Sequence, residues 1–450
     1  MSLSLHTGRI GQYLLPTAVL LVLIYTTYYI KIKIIKEADL LYFIIACMVS
    51  IGWLMLLLID PGYAYKQLKW IAFGCAAFIA LLRFLDLFSG NFILKYRIHW
   101  LFLTLVLLIS PLLFGVEAGG AKSWLQIYTM RFQPAEAAKI TFLVFLCTWF
   151  KDHGSLRNSW PAWLGTFICV AVLVLQRDLG TALIFYLSFL SLLYLVTGRM
   201  KGPVLGFMLL IIGAFWAYFF FPHVRVRIMG WLNPWLEPDR GGYQIIQSLF
   251  ALANGGIWGM GFGGGMPGVI PEAHTDFVFA VIGEQLGLLG TSGVIALYLF
   301  FSFFSLKRSQ LIPTLGSRLL SAGLSIIILL QAFIIMGGVT KLIPLTGLPL
   351  PFMSYGGSST LSSFIMLGII IWLNREKGFV PAITRRRLIN VNRLIWILML
   401  SLLINISYWQ VVKAPTLSDN PLNPRQVLPQ ENRNYSEEIC EKKFYSYSSP

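Results

Sequence analysis

The chain has 450 residues, of which 57% are hydrophobic and only 12% charged. A soluble domain carries about a quarter charged residues, so this balance excludes a water-soluble globular protein and points to an all-α, multi-pass membrane protein. The net charge of +16 would suit a nucleic-acid binder, but the basic residues alternate from loop to loop instead of gathering in one segment. That is the pattern of membrane topology, and no nucleic acid is expected as a partner.

Apolar runs long enough for a hydrocarbon core of about 30 Å begin at 11–30, 38–60, 69–88 and 99–116. The first has no small-residue cleavage pattern close behind it and reads as a retained helix. A polar, patterned segment at 117–135 then leads into runs at 133–150, 160–177, 179–198 and 202–221. A long loop over 222–275 precedes the run 276–306, and runs at 317–338, 358–374 and 394–411 follow. One set of alternate loops holds eighteen Lys and Arg, among them Lys31, Arg97, Lys151, Lys307 and Arg385 to Arg387. The other set holds eight: Lys66, Lys69, Lys122, Arg131, Arg225, Arg227, Arg240 and Lys341. The positive-inside rule makes the first set cytoplasmic, which puts both termini and the 222–275 loop outside.

Three outside segments, 117–135, 222–275 and 339–357, are too polar for lipid. Irregular backbone near membrane depth is tolerated only where protein or a water-filled cavity satisfies it, so the three are expected to roof a shared cavity. Asn254 to Gly268 carries eight glycines in fifteen residues. It reads either as a phosphate cradle or as a tightly packed loop, and the lack of a preceding strand or a following Gly-Lys-Ser/Thr favours packing. Ala280, Gly283, Gly287 and Gly290 continue from Asp276 as a small-residue stripe suited to close helix approach. Cys47, Cys75, Cys147 and Cys169 lie in apolar spans and Cys440 stands alone in the tail, with no disulfide framework or metal-ligand spacing.

Asp276 closes the segment Pro-Glu-Ala-His-Thr-Asp, at the lip of a span. A carboxylate within a span costs roughly 2.5–3.5 kcal/mol at the centre and less near the edge, so one retained here is a functional candidate. The bland alternative is a helix N-cap, a role for which Thr275 competes. Glu136 and Lys139 sit three apart on one helix, where they either neutralise each other or shape a site. His274 reads as a hydrogen-bonding loop histidine ahead of a proton shuttle, and Glu284 as an internally paired acid. Trp124, Trp231 and Trp235 suit an interfacial belt or sugar-stacking platforms.

Five blocks stand in a fixed order: GAKSWLQIYTMRFQPAEAAKI (120–140), QRDLGTA (176–182), NPWLEPDRGGYQIIQSLFALANGGIWGMGFGGG (233–265), PEAHTDFVFAVIGEQLGLLG (271–290) and PLTGLPLPFMSYGGSS (344–359). Together they resemble the SEDS proteins (shape, elongation, division and sporulation), the FtsW/RodA/SpoVE group of peptidoglycan glycan-strand polymerases. The resemblance covers roughly 38–378 and implies ten transmembrane helices with both termini inside. The runs 11–30 and 394–411 are then one added helix at each end, giving an N-terminal extra helix over 1–37, a core over 38–378 and a C-terminal unit over 379–450. Ser123 stands where the family has Arg, Ala135 where it has Ser, Arg177 where it has Pro and Lys341 where many members have Gly. Lys122 or Arg177 is left to supply the cation missing at Ser123.

The resemblance also implies the chemistry. The sugar of one lipid II attacks the anomeric carbon of a lipid-pyrophosphate-linked glycan at the outer face of the cytoplasmic membrane, with inversion. Asp276 would take the proton of the acceptor hydroxyl. The pyrophosphate leaves without a protonating acid, unlike the paired carboxyls of glycoside hydrolysis. Lys139, Glu136, Arg225, Arg227, Arg240, Lys122, Trp124 and His274 are the candidates for binding substrate. A divalent cation, Mg or Mn, is compatible, although no ligand cluster marks it. Residues 396–434 resemble the membrane anchor and first outside residues of a class B penicillin-binding protein, the transpeptidase that partners this family. The chain beyond 412 is polar and too short to fold alone. A lipid II flippase and a non-catalytic scaffold for a penicillin-binding protein are the rival readings.

Overall fold

The computed structural model describes residues 17–25, 27–29, 40–87, 94–118, 120–128, 130–152, 159–236, 242–375, 378 and 380–426. Each of the twelve apolar runs coincides with a helix. The first is helical at its described residues 17–25 and 27–29, and Tyr28 stacks on Tyr42 of the next helix with ring centroids 5.8 Å apart. Then follow α1 (Leu40–Ile59), α2 (Pro61–Leu85) and α3 (Arg97–Phe114). Pro61 opens α2, with Asp60 as an N-cap that accepts from Gly62 N, a favoured start because the first amides of a helix lack internal partners.

The segment after α3 corrects the expectation of an irregular loop. It folds as an antiparallel sheet of β1 (Val116–Ala118), β2 (Ala121–Ile127) and β3 (Met130–Phe132), in that order, with Val116 opposite Trp124 and Gln126 opposite Arg131. Gly120 and Tyr128, both at positive φ, turn the chain between strands. The remaining helices are α4 (Pro134–Asp152), α5 (Trp160–Leu175), α6 (Leu179–Thr197), α7 (Lys201–Phe220), α8 (Pro222–Leu232), α9 (Tyr243–Gly255), α10 (Val278–Ser309), α11 (Leu315–Val339), α12 (Gly357–Leu373), α13 (Ala382–Ser407) and the short α14 (Ala414–Ser418).

Helix α11 is the axis of the molecule. It is buried along nearly its whole length and packs against α4, α6, α10, α12 and α13. Helix α7, by contrast, packs on α6 and α8 and leaves most of its apolar side chains exposed, as a lipid-facing rim helix does. Among the described residues, eight helices have the length and composition to cross a membrane. Helices α5 and α12 are apolar but shorter, and α4 carries Glu136, Lys139 and Lys151 within its length.

Helix α10 is broken at Gly287, whose φ of 64° and ψ of −159° no helix accommodates. The break frees backbone groups that lipid cannot satisfy, and the glycine-rich loop satisfies them. Leu288 N donates to Gly256 O at 2.9 Å and Leu289 N to Ile257 O at 3.3 Å, while Met260 N and Gly261 N donate back to Glu284 O and Gln285 O at 2.9 and 3.0 Å. A Cβ on Gly259 would lie 2.2 Å from Gln285 O, so only glycine permits this approach. The packing reading of the loop therefore holds, and the small-residue stripe is interrupted where Gly287 breaks the helix.

Candidate active site

Asp276 lies in a turn two residues ahead of α10, outside the span. Glu272 organises that turn: its carbonyl accepts from Thr275 N, Asp276 N and Phe277 N at 3.1, 3.1 and 3.3 Å. The residue at the helix N-cap is Phe277, with no side-chain cap. The N-cap reading of Asp276 and Thr275 is thus excluded. The Asp276 carboxylate faces the 340–356 connection instead, where a Cβ added to Gly347 would lie 3.4 Å from Oδ2.

That connection is irregular backbone held by side chains from three helices. Tyr298 of α10 donates to Pro351 O at 2.6 Å, Gln331 of α11 to Pro349 O at 2.8 Å, and Gln67 of α2 to Ser354 O at 3.3 Å. Each bond replaces a partner the backbone would otherwise find in water. Arg227 reaches the same stretch from α8, its Nη1 donating to Thr346 O at 3.3 Å. An acid and a cation therefore meet adjacent residues, Gly347 and Thr346, of one loop.

Burial pushes the Asp276 carboxyl up to about 7; the Thr275 hydroxyl lowers it, Glu272 raises it further and Arg227 lowers it. Burial, then the positive charges of Arg177 and Arg227, pushes His223 below the ordinary histidine value. Its Nε2 is buried with no hydrogen-bond partner among the described residues. Arg177, exposed at positive φ, lies near His223 and stays a candidate for the cation missing at Ser123. Lys122 is not, because its Nζ donates to Leu112 O at 2.9 Å and caps the end of α3.

Beneath the loop, Glu136 and Lys139 form a buried pair at 2.9 Å. Lys139 Nζ also donates to Gln331 Oε1 at 2.7 Å, and Ser362 Oγ donates to Glu136 Oε2 at 2.7 Å. The pair neutralises itself and also reaches the loop, since Gln331 bonds both Lys139 and Pro349 O. Gln331 and Ser362 were missed by sequence reasoning: uncharged polar residues in apolar runs carry little signal. Asp178 belongs to the same neighbourhood. It caps α6 through Thr181 and accepts from Gln133 Nε2 at 3.0 Å.

Other candidates have partners of their own. Arg225 turns away, donating to Phe219 O at 3.4 Å and lying over the Tyr218 ring. Trp124 is fixed in β2 opposite Val116. Trp231 donates to Lys341 O at 3.1 Å, and Trp235 packs on Phe250. Arg240 lies outside the described residues. His274 stacks on Tyr63 at 3.9 Å between centroids, with its carbonyl accepting from Tyr355 N at 2.9 Å, which suits a loop histidine. Tyr63 and Tyr355 thereby enter the site, Tyr63 without a sequence signal and Tyr355 from within the block 344–359. A groove of about 470 Å³ between Phe303 and Trp396 lies far along α10 and is unrelated to this chemistry.

Among the described residues, no three metal-ligating side chains converge. Glu272 and Asp276 alone do not make a cage for Mg or Mn.

Fold and site together define a multi-pass membrane protein with one acid raised to about 7 beneath a loop and near Arg227. The family model described as cell cycle protein (FTSW_RODA_SPOVE) matches residues 59–378. The chain is 39% identical over 326 residues to the peptidoglycan glycosyltransferase RodA of Mycobacterium tuberculosis, covering 68% of this chain and 69% of that one. It is 36% identical over 332 residues to a probable peptidoglycan glycosyltransferase FtsW of Alkalilimnicola ehrlichii, covering 70% and 81%. A solved chain from a study of polymerization and crosslinking by a peptidoglycan synthase complex superposes with a TM-score of 0.63 at 28% identity, over 74% of this chain and 96% of that one. The rod shape determining protein RodA of Thermus thermophilus shares the fold, with a TM-score of 0.57 at 24% identity over 76% and 97%. The chain belongs to the FtsW/RodA/SpoVE family.

Proposed function

We propose that the chain is an inverting peptidoglycan glycosyltransferase that polymerises lipid II at the outer face of the cytoplasmic membrane, in cell-wall growth or division. The observation that carries this reading is Asp276: a carboxylate with no capping duty, raised to about 7, facing a loop that also receives Arg227. A general base works best with a pKa near the working pH. It contributes about 10² to 10⁴ in rate, so charge stabilisation by Arg227 and Arg177 and positioning by the loop must supply the rest. The named activity of the relatives supports the same reaction. A class B penicillin-binding protein is the proposed partner, and residues 396–434 are proposed to derive from such an anchor.

Purified protein supplied with lipid II and a partner transpeptidase is expected to make glycan strands, and Asp276→Asn to abolish them without unfolding the protein. Polymer yield unchanged by the substitution would remove Asp276 from the reaction. Lipid II transport in sealed vesicles, without polymer, would instead identify a flippase.

A further inference from the structure

The last described stretch, 408–426, lies outside the family-matched region, yet its polar side chains converge on α10 at the break. Gln410 Nε2 donates to Gly283 O at 3.2 Å and its Oε1 accepts from Thr291 Oγ1 at 3.1 Å. One buried side chain thus spans both halves of the helix across Gly287. Arg425 Nε donates to Glu284 Oε1 at 2.6 Å and its Nη1 to Gln247 Oε1 at 3.1 Å, tying the first half of α10 to α9. The chain between them, too short to fold alone, packs on the core: Leu417 and Ala414 pack with Ile246, Leu249, Phe250 and Trp235.

The energetics favour a fixed arrangement. Glu284 and Arg425 expose only 1% and 5% of their side chains, and a carboxylate this deep needs its counter-charge. That charge comes from the C-terminal addition. Gln410 meanwhile holds a carbonyl on one side of the break and a hydroxyl on the other, so the relation between the two halves is set by a residue of neither. The half so held begins at Val278, directly after the turn that presents Asp276.

We infer that residues 408–426 form a built-in clamp on the helix that follows Asp276, with Gln410 and Arg425 as positioning residues for that acid. The catalytic consequence rests on the polymerase reading; the clamp itself is a statement about local order and is tested separately.

The test uses the full chain in lipid nanodiscs. One variant is Gln410→Leu, which keeps volume and loses both bonds. The other is Glu284→Gln with Arg425→Gln, which removes both charges so that neither is stranded. Hydrogen exchange of the 284–291 amides is expected to rise about tenfold in each, the effect of losing one or two hydrogen bonds from a local opening. Exchange over 315–339 is expected to stay unchanged. Arg425→Lys should retain protection by keeping the charge. With lipid II, kcat should fall several-fold in both variants while KM stays within twofold. Exchange at 284–291 within twofold of the parent in both variants, or an equal rise over 315–339, would overturn the clamp. If the parent makes no polymer but the local exchange responds, the polymerase reading fails and the clamp stands.

Discussion

Asp276 has a folded-state pKa of about 7 against an ordinary 3.8, and the sign of that shift has two consequences. The basic form becomes dominant only above about pH 7, so polymerisation should climb with pH through that value; a flat rate between pH 5.5 and 8.5 would count against Asp276 as the base. Stability moves the opposite way. Between the two pKa values the folded state binds more protons than the unfolded chain, so stability falls as pH rises through this window and stays lower above it. Asp276→Asn removes that loss and should raise the melting temperature at pH 8 but not at pH 4, as scanning calorimetry would show. The position of this acid was legible in sequence because charge is rare in apolar surroundings. Its partners were less so. Arg225 and Arg227 are two apart on α8 and therefore point to different sides, and nothing in their spacing told which one faces Thr346.

Helices α4, α11 and α12 are joined by the buried set of Glu136, Lys139, Gln331 and Ser362, and the pair at its centre behaves as a unit. Removing one charge strands the other, at a cost of about 3–5 kcal/mol. Glu136→Gln or Lys139→Met alone should accordingly lower the thermal inactivation temperature sharply, and the double substitution should recover most of the loss. Additive losses in the double variant would show that the two charges act independently. At this scale the sequence was informative about spans, because a 17-residue apolar run has few alternatives to a helix. It was less informative about the connections. The strands over 116–132 were read as irregular because β1 and β3 have three residues each and Ala121–Ile127 does not alternate strictly between apolar and polar, although Trp-Leu-Gln-Ile-Tyr is strand-favouring in composition. The break at Gly287 was hidden in a stripe that also describes ordinary packing.

The molecule as a whole is a set of helices around α11 with its polar loops linked at one end. Arg227 touches Thr346, Gly180 approaches Thr346 O, Lys122 N donates to Gln176 O and His274 O receives Tyr355 N. The distribution of basic residues predicts that this end faces outward. In a chain whose own cysteines are replaced, Tyr128→Cys, at a position 93% exposed, should react with a membrane-impermeant maleimide added to intact cells, and Arg386→Cys should react only after lysis. The reverse pattern would invert the topology and with it the proposed side of the reaction.

The break in α10 changes what kind of object the helix is. An unbroken helix would transmit motion along its length as a rigid rod, whereas this one is a short lever with its fulcrum at Gly287. From the fulcrum to Val278, the first residue of the helix, is about 14 Å at 1.5 Å per residue, so a tilt of about 4° displaces the end that presents Asp276 by about 1 Å. A misplacement of that size costs on the order of a hundredfold in rate. The accuracy with which the acid meets a sugar hydroxyl is therefore a question of angular tolerance at one glycine deep in the helix.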